Sequence, residues 1–62
     1  MYCIYVSTDG NNIQKVVTNN QVVTSENIQA LMPVAKNIKV NKPEMNVTIV
    51  DIDTGSIVVD YQ

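Results

Sequence analysis

With a single cysteine, Cys3, and no histidine, a chain of 62 residues must hold itself together by packing alone. One thiol cannot close an internal disulfide, and a Cys/His zinc site is out of reach. A domain of this size buries only about 60% of the surface its unfolded chain exposes, so its core is marginal. Small domains meet that shortfall with covalent or metal staples, or by self-association. Here the staples are missing and 45% of the residues are hydrophobic, more than so small an interior readily takes in. The expectation is one domain over residues 1–62 that forms a homo-oligomer, most simply a homodimer.

The missing residue types also narrow the function. Without histidine the usual general base and the commonest metal ligand are gone, and without arginine so is the bidentate phosphate clamp. The net charge of −2, from four lysines against six acids, has the wrong sign for a nucleic-acid binder. Lys36, Lys39 and Lys42 cluster as lysines do toward a helix C-terminus. No segment is long and apolar enough to span a bilayer, and no secretory leader pattern opens the chain. A cytoplasmic protein with a reduced Cys3 is expected, bound to neither membrane nor nucleic acid.

Periodicity gives the elements. Residues 2–7, Tyr-Cys-Ile-Tyr-Val-Ser, have strand composition, and Asp9-Gly10 is a hairpin signal. A two-residue loop there sets Val6 against Ile13, Ile4 against Lys15 and Tyr2 against Val17, with these apolar residues on the core face. Asn19-Asn20 predicts a second tight turn pairing Val17 with Val22, and hence a three-strand meander through residue 24. Thr24-Ser25-Glu26 then reads as a helix start, followed by the stripe Ile28, Leu31, Met32, Ala35 and Ile38. Pro33 interrupts that stripe, which predicts one bent helix closed by Asn41-Lys42-Pro43.

The last stretch, Asn46 to Tyr61, predicts a hairpin around Thr54-Gly55 with Asp53 paired to Ser56. That register puts Thr48, Val50, Ile52, Ile57, Val59 and Tyr61 on the core face. Ile49, Asp51, Val58 and Asp60 fall on the outer face, where apolar and acidic groups mix. The fold class is therefore α+β: an antiparallel five-stranded sheet, β-β-β-α-β-β, with one helix packed on one face.

Val50-Asp51-Ile52-Asp53-Thr54-Gly55-Ser56 resembles the catalytic loop of the aspartic proteases, an Asp-Thr-Gly after a hydrophobic strand. In retroviral-type members two chains each donate one such aspartate. The resemblance implies a homodimer with Asp53 as its catalytic carboxylate. It covers about seven residues near the end of the chain, and the same string is an ordinary turn sequence. Turn is the primary reading. Cys3 lacks an activating base, and Asp51 with Asp53 supplies too few ligands for a dedicated cation site. No catalytic, metal or cofactor residue is assigned.

The sequence thus predicts a non-enzymatic protein-binding module, with Ile49, Asp51, Val58, Asp60 and Tyr5 as candidate contact residues. Eight asparagines, and lysine without arginine, suggest a low-GC genome. In that setting a chain this small fits a phage- or mobile-element-encoded inhibitor of a host defence protein. The alternative is an oligomer that binds or sequesters a metabolite or nucleotide at its subunit boundaries.

Overall fold

A computed structural model describes residues 1–8 and 12–61. The chain runs through β1 (Tyr2–Ser7), β2 (Gln14–Lys15), β3 (Val17–Thr18), β4 (Gln21–Val22), β5 (Thr24–Ser25), α1 (Ile28–Asn41), β6 (Asn46–Asp51) and β7 (Ser56–Tyr61). Five strands form one antiparallel sheet in the order β2-β1-β6-β7, with β5 also paired to β1. The helix packs on one face of that sheet, so the architecture is α+β with a five-stranded antiparallel sheet and a single helix. The expected Asp9-Gly10 turn lies outside the described residues.

The core is formed by Ile4 of β1, Val47 and Ile49 of β6, and Leu31 and Ala35 of α1. Tyr2, Val6, Val59 and Tyr61 close it from the sheet, and Ile28 and Ile38 from the helix. The buried and half-buried helix positions 28, 31, 35, 38 and 39 form one stripe. Met32, expected in that stripe, is exposed, as is Pro33. Pro33 lies inside a continuous helix, where its missing N–H falls on the solvent side.

The helix begins three residues later than expected. Thr24 and Ser25 are drawn into β5, where they pair with Cys3 and Tyr2, so they cannot cap. Asn27 is the N-cap, its Oδ1 accepting from the Gln29 amide at 3.0 Å, and Ser25 Oγ accepts from the Asn27 amide at 3.0 Å. At the other end Lys42 is the C-cap, and Lys39 Nζ donates to the carbonyls of Pro43 at 2.9 Å and Met45 at 2.6 Å. The last-turn lysine thus satisfies carbonyls of the connection that leads into β6.

Two registers differ from expectation. Tyr5 pairs with Lys15 and Val6 with Gln14, one residue away from the predicted alignment. Because side chains alternate between faces, that single step moves the apolar set. Val16 reaches the core, while Ile13 is 63% and Val17 54% exposed. Nor does a three-strand meander form. β2 and β5 lie along the same edge of β1, and between them the chain leaves as the separate β3–β4 ribbon. Val17 does pair with Val22 around Asn19-Asn20, both at positive φ (55° and 64°), the geometry of a tight hairpin turn.

The second difference is in β6–β7. Asp51, rather than Asp53, pairs with Ser56, and Val50 pairs with Ile57. A β-bulge then shifts the register, so that Ile49 pairs with Val59 and Val47 with Tyr61. The bulge absorbs Val58. With Val58 in line, Val59 would oppose Thr48 and Asp60 would oppose Val47, carrying a carboxylate into the core. The inward face of β6 is therefore Val47 and Ile49, and Ile49 is fully buried instead of lying on the outer face.

Candidate functional site

The helix covers one side of the sheet; nothing among the described residues covers the other. The pairings set out its rows. Lys15, Tyr5, Thr48 and Asp60 form one row across β2, β1, β6 and β7. Thr24, Cys3, Val50 and Ile57 form the next, and Ser7 and Asn46 extend the face toward one end. Cys3 and Ser7 are buried in the floor. Tyr5, Thr48 and Val50 are half-buried, and Ile57 is 61% exposed.

Local chemistry explains how this face is built. Lys15 sits with its ammonium 5.9 Å from the centroid of the Tyr5 ring, a cation–π contact at the sheet edge. Tyr5, Ile13, Thr48, Val50, Gly55 and Ile57 line a shallow depression of about 360 Å³. A smaller one of about 130 Å³ adjoins it toward Ser7 and Asn46. Ile13 and Ile57 line both, from opposite sides of the sheet. The result is an apolar patch with a hydroxyl (Thr48) near its middle, a cation at one side and a carboxylate at the other. A third depression, of about 300 Å³, lies beside the helix end between Val16, Ile38 and Met45.

The structure brings only some of the predicted contact residues together. Tyr5 and Asp60 share one row of the open face. Val58 sits in the bulge of β7 and is 42% exposed. Asp51 is half-buried at the end of β6, paired with Tyr2 and turned from this face; its Oδ1 accepts from the Asp53 amide at 3.0 Å. Ile49 belongs to the core. Sequence reasoning missed Ile13, Thr48, Val50 and Ile57 as surface partners. The run Asn46-Val47-Thr48-Ile49 carried the signal, since its alternation already sets 47 and 49 against 46 and 48.

The Asp-Thr-Gly string has the geometry of a turn. Gly55 adopts φ 75° and its amide donates to the Asp51 carbonyl at 2.7 Å, while the Ser56 amide donates to Thr54 Oγ1 at 3.3 Å. The Asp53 side chain is 76% exposed, and its Oδ2 lies 2.9 Å from the amino group of Met1. That hydrogen bond, with the carboxylate's charge, raises the pKa of the Met1 amine above its usual 8.0. Among the described residues no cluster of three or more His, Cys, Asp or Glu side chains is placed to hold a metal. Nor, among the described residues, is any helix long and apolar enough to cross a membrane.

Comparison with protein-family models, with curated proteins and with solved structures finds no match to this chain.

Proposed function

We propose that this protein is a non-enzymatic binding module that acts by contact with another protein through the open face of its sheet. One observation carries the reading: exposed Ile13 and Ile57 flank Tyr5, Thr48 and Val50 on a sheet face that nothing among the described residues covers. Apolar side chains at that exposure are stabilised when a partner removes them from water, and aromatic residues are favoured at such contacts. The partner that suits the patch presents apolar side chains at its centre, with an acid to meet Lys15.

An inhibitor of a host protein would need no more than this, since occupying a surface requires shape and desolvation but no reactive group. That role and a cytoplasmic location both rest on the sequence alone. A small-ligand binder finds less support. Ligand sites bury about 70–90% of a ligand's surface, and the depressions here are shallow.

The experiment is to capture the partner from the native host and measure its binding to Thr48→Lys and Ile13→Lys. Val17→Lys in the β3–β4 ribbon serves as control. Loss of binding in the first two variants, with far-UV circular dichroism unchanged and Val17→Lys unaffected, supports the open face. Full binding by both would refute it. A metabolite retained through native mass spectrometry and released on heating would replace it with the ligand reading.

A further inference from the structure

We propose that a second copy of this chain pairs along the outer edge of β7, antiparallel, about a two-fold axis perpendicular to the sheet. The pairing leaves the open face free, so this inference and the function proposed above fail separately.

The two edges of the sheet are built differently. Along β1 the edge is covered by two short strands, β2 and β5, of two residues each, and the β3–β4 ribbon leaves between them. That edge is broken and offers no continuous template. β7 closes the other side with six residues in extended conformation, Ser56–Tyr61, and among the described residues nothing pairs with its outer side. Exposed edges are ordinarily blunted with lysine, proline or a bulge. β7 has the bulge and one charged residue, Asp60, but neither lysine nor proline, and Ile57, Val58 and Val59 give it three consecutive β-branched residues. Such a segment pairs readily with another strand.

Symmetry favours a second copy as the occupant. Two identical edges run antiparallel satisfy each other's amides and carbonyls and close on themselves. The edges left over are the two broken ones, so assembly stops at two. Centring the axis between Val58 and Val59 sets Ile57 beside Asp60 of the partner subunit, both on the open face, and Ser56 beside Tyr61 of the partner subunit. The two Asp60 carboxylates are then offset rather than opposed, which avoids the like-charge pair that destabilises a cross-strand contact.

A two-fold axis perpendicular to the sheet keeps both open faces on one side and both helices on the other. Joining at β7 makes a single platform of twice the area, with Ile57 from each copy near its middle.

The test is sedimentation velocity on the full chain across a broad dilution series, with Val58→Lys, Val58→Cys and Thr18→Cys. A concentration-dependent dimer is expected. Val58→Lys should weaken it about tenfold or more while far-UV circular dichroism stays unchanged. Mild oxidation should link Val58→Cys chains into a disulfide dimer, whereas Thr18→Cys, on the ribbon at the far edge, should stay unlinked. A monomer at every concentration overturns the proposal. So does a dimer that withstands Val58→Lys but is broken by Thr48→Lys, which would place the contact on the open face. Should Val58→Lys fail to fold, the cysteine pair decides, and an unlinked Val58→Cys overturns it.

Discussion

Two hairpins, β3–β4 and β6–β7, turn on the same backbone requirement and end in opposite places. Each reverses through residues at positive φ: Asn19 and Asn20 in the first, Gly55 in the second. The β3–β4 ribbon has the register that its turn residues predict, and both its valines are exposed. The β6–β7 hairpin departs from the simplest register by a longer loop and a bulge, and it supplies Val47 and Ile49, two of the five residues of the buried core cluster. Turn chemistry therefore fixes how two strands meet, but not whether the pair has anything to pack against. In β6–β7 the demands of the core override the simplest local pairing.

The largest expected effect tests that contrast at its centre. Ile49→Ala should cost about 2–5 kcal/mol through lost burial and a residual cavity. That is most of the stability expected for a chain of this length, about 3–9 kcal/mol. Val17→Ala in the ribbon should change it by less than about 0.5 kcal/mol. Thermal melts of both variants check this, and comparable shifts would erase the distinction between the hairpins.

The turns come next. Gly55→Ala meets no steric neighbour, so its cost is backbone strain at φ 75°. About 1 kcal/mol of such strain lowers the melting temperature by about 4–8 °C. Asn20→Ala imposes a similar strain on a ribbon that opens without disturbing the core. Its signature should be faster amide exchange confined to β3 and β4, with the global melt almost unmoved.

A smaller effect sharpens the account of the bulge. Deleting Val58 removes the residue that the bulge absorbs and leaves Ile49 opposite Val59 and Val47 opposite Tyr61. The fold should survive with stability changed by no more than about 1 kcal/mol. Collapse of the folded state on deletion would show that the bulge does more than correct parity.

The smallest effect lies at the β6–β7 loop, where the Met1 amine meets Asp53. The folded state raises this amine's pKa, so the contact contributes fully below the unfolded value of 8.0 and is lost as pH rises through the folded value. Both groups are exposed, so the alkaline decline in stability should be slight. Acetylating the amine should abolish it, as a pH series of melts on the two forms would show.

Much of this fold was legible in the residues. β1, the helical stripe, the Asn19-Asn20 turn and the closing hairpin all follow from alternation, helical spacing and turn preference. The open face was half legible. Tyr5 and Asp60 lie on it, but Ile13, Thr48, Val50 and Ile57 were assigned inward. Each of those errors is one of parity: a one-residue step in register swaps every side chain to the opposite face.

By itself the sequence determined the local vocabulary: which segments extend, which coil, where positive φ is affordable, and that no disulfide or Cys/His site would hold them together. These depend on residues near one another in the chain. Only the tertiary structure decided that β1 takes β6 on one side and two fragments on the other, and that Val58 bulges to bring Val59 and Tyr61 inward. It also decided that the helix packs on the side of the sheet away from Tyr5 and Thr48. Burial is settled by elements far apart in sequence, since one helix can cover only one face and the best-packed parity wins.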